Sequence, residues 1–128
     1  MLVNLTPHPI RIYGWDVPDR FNLGDHEPQM VIEPSGTVAR IGEIELGTQY
    51  LQDCPTSVEF VEYRHANGLP PRPEKGSPEW ENPTTWYVVS LALALAQAGH
   101  RTDLLAPFRE VRDLSGTVIG CRSLAHPV

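Results

Sequence analysis

The sequence predicts an α+β fold: a small, mainly antiparallel β-sheet domain with one principal Ala/Leu helix and a C-terminal hairpin. Three observations predict it. Short β-branched runs recur between turn residues, and 13 Pro and 10 Gly leave little room for long elements. A single stretch, Leu91–Ala98, has strong helix composition, with Ser90 placed to cap its start and Gly99 to close it. Near the tail, two β-rich runs flank Leu114-Ser115-Gly116, a turn signal. At 128 residues the chain fits one domain, 1–128, large enough to bury a core without disulfides or metals.

Each element follows in order. Leu2–Leu5 and Ile10–Tyr13 read as strands, separated by Thr6-Pro7-His8-Pro9, whose prolines deny ladder donors and force a bend. The polar stretch 16–28 reads as a loop. Met30–Glu33 and Thr37–Ile41 flank Pro34-Ser35-Gly36 and predict a hairpin. Ile44–Leu46 and Val58–Tyr63 carry further strand character. Leu69–Pro83 holds five prolines, which predicts a long exposed loop without regular structure. Trp86–Val89 reads as a buried strand or an early helical turn. Leu-Ala alternation in 91–98 also fits a period of two, but Ala favours helix over strand, so helix wins. Ala92 and Ala96, four apart, offer a small-residue face for close packing. Phe108–Asp113 and Thr117–Cys121 then predict the hairpin around Gly116, with Arg122 at its end.

Charge limits the function. Nine of the ten cationic side chains are Arg, Lys75 is the lone lysine, and the net charge is -6. Such a chain does not hold DNA or RNA polymers, or a membrane surface, by bulk positive charge. The longest apolar run, Trp86–Ala96, is about half the ~20 residues a membrane span needs. Cys54 and Cys121 lack CxxC spacing, and Met1–Thr6 shows no signal sequence, so a reduced cytoplasmic setting is expected.

A guanidinium forks onto phosphate or carboxylate and stacks on rings, which suits scattered Arg to a discrete small anion. Arg101, Arg109, Arg112 and Arg122 cluster near the tail. If the last hairpin forms, Arg109, Arg112 and Arg122 are expected to converge on phosphate oxygens. His100, Arg101, Thr102 and Asp103 leave the helix as a polar loop of donors with one acceptor. Phe108, Tyr87 or Trp86 would stack a base, and Asp103 or Asn82 would read its edge. The competing reading is a surface lattice, because Arg109-Glu110 and Arg112-Asp113 are adjacent opposite charges worth a kcal/mol or less per pair.

No P-loop, GxSxG, HExxH or GxGxxG motif occurs, and five His residues lie scattered without ligand spacing. No metal or other cofactor is expected, and spacing gives no support to a Cys–His nucleophile. That lack counts against a nucleotide-processing hydrolase or phosphodiesterase, which is one alternative to binding. A non-catalytic interaction module, using the Pro-rich arm and the Ala-faced helix, is another.

Several blocks together resemble the phage anti-Thoeris sponges, the first described type of Thoeris anti-defence protein. They are Asn4-Leu5-Thr6-Pro7-His8, Pro34-Ser35-Gly36-Thr37-Val38-Ala39-Arg40, Gly68-Leu69-Pro70, and Tyr87-Val88-Val89-Ser90 with its helix. Asp103-Leu104-Leu105-Ala106-Pro107, Val111-Arg112-Asp113 and Ile119-Gly120-Cys121-Arg122 complete the set. The resemblance implies a non-enzymatic protein of the host-cell cytoplasm. Such a protein sequesters a cyclic ADP-ribose isomer, and also cyclic oligonucleotides, and so inhibits a bacterial anti-phage defence. It implies a homo-oligomer with pockets between subunits. By position it assigns ligand binding to Arg40, Asp103 and Arg112, beside the local candidates Phe108, Arg109 and Arg122. The sequence departs from the pattern at Phe60, where an Arg is expected, and in the long loops 16–28 and 69–83.

Overall fold

The six strand-forming runs with β-branched or aromatic residues near the two termini assemble into one mixed sheet, while two middle runs pair only with each other. A computed structural model of the chain describes residues 1–128. The elements are β1 (Leu2–Asn4), β2 (Ile10–Ile12), β3 (Met30–Ile32), β4 (Arg40–Tyr50), β5 (Ser57–Asn67), α1 (Pro78–Glu81), β6 (Trp86–Val88), α2 (Leu91–Ala96), β7 (Leu104–Arg112) and β8 (Val118–Ala125). The sheet order is β1-β6-β7-β8-β2-β3, and β4 and β5 form a separate two-stranded ribbon. The fold is α+β, mostly strand with little helix, and its sheets are largely antiparallel.

β1 with β6 and β2 with β8 pair in parallel, as do β6 and β7 through a crossover. Tyr87 lies opposite Leu104 and Val88 opposite Leu105. Two parallel neighbours need a connection of a dozen or more residues, and 89–103, carrying α2, supplies it. Ser90 caps α2 by accepting from Leu93 N at 3.3 Å. The helix ends at Ala96 rather than at Ala98, because Gln97 serves as its C-cap and Gly99 turns the chain away at φ +77°. Trp86–Val88 is a strand. The buried face of α2 is Leu93 and Ala94, not the Ala92–Ala96 stripe, since Ala92 faces outward. Leu93 and Ala94 pack with Leu5, Ala39, Val89, Leu104 and Ala106 as the main core. Ile10, Ile32, Val88 and Cys121 form a second group, and Tyr13, Phe21 and Val111 a third.

The hairpin predicted around Pro34-Ser35-Gly36 does not form. β3 instead pairs with β2, Ile10 opposite Ile32 and Ile12 opposite Met30. Residues 34–39 run past the end of β1, with Ser35 N on Asn4 O and Ala39 N on Leu5 O, both at 2.9 Å. Pro34 lacks a ladder donor, and β4 finds a much longer ladder with β5, from Arg40 opposite Asn67 to Tyr50 opposite Ser57. The Pro-rich arm also departs from expectation. It contains one helical turn, α1, with Pro78 at the first position and Ser77 Oγ accepting from Trp80 N at 3.2 Å.

The C-terminal hairpin β7–β8 forms as predicted. Asp113 Oδ1 accepts from Ser115 N and Thr117 N, both at 2.9 Å, and from Ser115 Oγ at 2.6 Å. The Ser115 hydroxyl, then the backbone donors, hold the Asp113 carboxyl below the usual range. Both cysteines are free thiols, and burial pushes the Cys121 thiol up. No helix is long and apolar enough to cross a membrane.

Asn4 knits three segments. Its buried side chain donates to His8 O at 2.8 Å and Ile32 O at 2.9 Å, and accepts from Thr6 N at 2.8 Å and Thr6 Oγ1 at 2.7 Å. The Thr6–Pro9 bend is thus fixed by one amide. Asn4→Ala takes the side-chain donor from the buried Ile32 carbonyl and is expected to lower unfolding free energy by about 2–3 kcal/mol. A urea midpoint shift at unchanged slope is the check.

Candidate functional site

Three segments far apart in sequence meet around one polar cleft: β5, the end of α2 and the Pro-rich arm. The cleft has two lobes, of about 670 and 340 Å³, which share Arg64, His65, Gln97 and His100. Volumes of this size accommodate small organic ligands. The larger lobe reaches Glu62 and Gly99, and the smaller reaches Arg72 and Arg101.

Each wall has a local cause. The buried Gln97 donates through Nε2 to Arg64 O, tying α2 to the ribbon. His100 sits in the turn that follows, its N–H on Gln97 O at 2.9 Å. Arg72 comes from the arm and donates through Nη1 to His100 O at 2.9 Å. The arm itself is clamped by Arg101, whose Nη1 donates to Pro70 O at 2.5 Å. Behind it, Arg101 forks onto Asp103, Nε to Oδ1 and Nη2 to Oδ2, each at 2.8 Å. These two side chains are 4% and 3% exposed.

The electrostatics favour an anion. His100 is held below the ordinary imidazole value, first by loss of hydration and then by Arg72, Lys75 and Arg101. Arg72 reaches the ring itself, its Nη1 3.4 Å from His100 Nδ1. Arg101 is neutralised by Asp103, and Arg64 lies 3.4 Å from Glu62 but is 83% exposed and leaves most of its donors to solvent. Arg72 and Lys75 have no carboxylate partner within ion-pair distance. No group of three or more His, Cys, Asp or Glu side chains is placed to hold a metal ion.

Most of the residues predicted to gather do not gather within one chain. Arg112 closes its own hairpin, with Nη1 on Gly116 O at 2.8 Å and Nη2 3.4 Å from Glu110 Oε2. Arg122 is 12% exposed and fastens the 16–28 loop, donating to Asp19 Oδ1 at 2.9 Å and Val17 O at 2.7 Å. Arg109 stacks on Phe108, 4.6 Å from the ring centroid, and takes a left-handed φ of +59° unusual for a side chain of its size. Arg40 opens β4, exposed and opposite Asn67. Asp103 has both oxygens taken by Arg101, so it is not free to read a base edge.

The helix exit, by contrast, is where the sequence places donors. His100 and Arg101 line the cleft. Arg64, His65, Arg72 and Gln97 were missed. The five prolines of the arm and the Arg within it were the one available signal for Arg72, because long loops often carry binding groups. Comparison with protein-family models, curated proteins and solved structures finds no match.

Proposed function

We propose that the protein binds a cyclic nucleotide immune signal, a cyclic ADP-ribose isomer or a cyclic oligonucleotide, in the Arg64–Arg72–His100 cleft and holds it without cleavage. Sequestration of this kind would silence a bacterial anti-phage defence. The observation that carries the reading is that two exposed guanidinium groups, Arg64 and Arg72, line one cleft with His100 in a chain whose net charge is -6. A positive cleft on an acidic protein selects compact anions and repels long ones by its surroundings. A diphosphate accepts several charge-assisted bonds from exposed guanidinium groups.

The proposal includes assembly of several copies. The ribbon presents Leu46 and Tyr63 beside Leu95 in an apolar groove that also reaches Arg64. An isolated two-stranded ribbon is marginal in water, and a neighbouring copy laid on this groove would stabilise it and narrow the cleft. Light scattering of the eluted protein distinguishes a monomer from an oligomer.

Binding is expected to take up protons. An anion beside His100 offsets its cationic neighbours and raises its pKa, so affinity rises as pH falls from 7.5 towards 6. Calorimetry with cyclic ADP-ribose in two buffers of different ionisation heat reads the proton directly, and His100→Gln is expected to abolish the uptake while retaining binding. Equal heats in both buffers would count against an anion at this ring.

A second reading has one observation in its favour: His65 and His100 line the same cleft. Two imidazoles at a phosphodiester are an acid–base pair, which is the arrangement a phosphodiesterase uses. The fate of the ligand separates the two readings.

A further inference from the structure

Beside the cleft lies a second recess of about 360 Å³, lined by Trp80, Glu81, Asn82, Trp86, Thr102 and His126 among others. It adjoins the cleft at two points. Arg72, a cleft residue, has its guanidinium 5.9 Å from the Trp80 ring centroid, and Arg101 of the cleft precedes Thr102 of the recess. Two further features point to a guest. Thr102 Oγ1 is buried and has no hydrogen-bond partner, which is uncommon for a buried hydroxyl. His126 Nδ1 lies 2.7 Å from Leu104 O. A carbonyl only accepts, so the hydrogen of this bond resides on Nδ1 and Nε2 is left to meet a guest.

We infer that this recess is a subsite for a flat nitrogen heterocycle of the purine kind. The inference rests on the reading of the cleft, because the ring it takes belongs to the ligand whose phosphates occupy that cleft. Indole faces stack on any base. Trp86 and His126 already meet edge to face, 5.8 Å apart at 74°, and form one wall of the recess. The Asn82 amide, the Thr102 hydroxyl and His126 Nε2 supply donors and acceptors suited to a heterocycle's edge. An organic cation, the other common guest of Trp-lined pockets, would meet one carboxylate in the lining, Glu81, against two cations at the rim. Arg72 and Lys75 both stand 5.9 Å from the Trp80 centroid and make the rim positive.

The test uses the full-length chain with Trp15→Phe, which removes an indole that is 66% exposed and leaves Trp80 and Trp86 as reporters. AMP, ribose 5-phosphate, adenosine and tetramethylammonium are titrated by fluorescence and calorimetry. AMP is expected to bind about 5- to 150-fold tighter than ribose 5-phosphate, the factor that one stacked base contributes. AMP and adenosine are expected to quench, and ribose 5-phosphate is not. Thr102→Val, which keeps the side-chain shape, and Trp80→Leu are each expected to narrow the ratio towards one while ribose 5-phosphate affinity stays unchanged. Arg72→Ala is expected to weaken AMP and ribose 5-phosphate equally. A ratio of one in the parent protein, with both ligands still sensitive to Arg72, overturns the base subsite and leaves the cleft reading standing. Adenosine quenching without any phosphate binding supports the subsite and overturns the cleft. Saturation by tetramethylammonium in place of adenosine overturns the assignment to a purine.

Discussion

Asp103→Ala is expected to lower the unfolding free energy by about 3–5 kcal/mol, the cost of leaving one member of a buried ion pair alone. Arg101 and Asp103 are almost fully buried, and every Asp103 oxygen is engaged by the Arg101 fork. Removing the carboxylate strands a guanidinium under the Pro-rich arm, where its remaining partner is a single carbonyl, Pro70 O. The arm that positions Arg72 then loses its clamp, so ligand binding is expected to fall with stability. Urea unfolding followed by tryptophan fluorescence measures the loss. Replacing both residues by Leu separates pair from packing: a buried pair exchanged for apolar groups is often close to neutral, so the double variant should recover most of the stability. A single Asp103→Ala variant as stable as the parent would show that the pair is not desolvated.

Arg72→Ala is expected to weaken cyclic ADP-ribose binding about 10- to 150-fold, equivalent to the loss of one or two hydrogen bonds to a charged group at about 1.5–3 kcal/mol. Arg72 is exposed and makes one firm bond, to His100 O, so the melting temperature of the free protein should barely move. The same change at Arg112 serves as the comparison. Its guanidinium is spent on Gly116 O and Glu110 within its own hairpin, so Arg112→Ala should leave affinity near that of the parent. The reverse ranking, with Arg112 dominant, would move the ligand from the cleft to the hairpin.

Local signals in the sequence were enough for local structure. Ser90 and Gly99 marked α2, Gly116 marked the last turn, and the prolines of 69–83 marked the arm. The failures are those of partner choice. Nothing in Met30–Glu33 says that it prefers Ile10–Ile12 to Thr37–Ile41, because both pairings satisfy the same alternation. The ribbon was foreshortened to Ile44–Leu46 and Val58–Tyr63, since Gly42 and Gly47 interrupt the apolar rhythm where the ladder shifts register. For the site, His100 and Arg101 were legible because a helix exit exposes polar groups. Arg64 and Arg72 were not, because their convergence depends on Gln97 tying α2 to β5 across 33 residues. The tail Arg residues do not converge within one chain for the same reason. Arg122 found its carboxylate in Asp19, 103 residues away, and Arg112 found its carbonyl one turn on.

Retention without chemistry is tested most directly by recovering the ligand. Cyclic ADP-ribose is incubated with excess protein, unbound material is removed by filtration, the protein is denatured by heat, and the released nucleotide is identified by chromatography and mass. Binding in the cleft predicts stoichiometric release of the intact cycle from the parent and almost none from Arg72→Ala. Release of a linear, hydrolysed nucleotide would contradict it and give His65 and His100 a catalytic role instead.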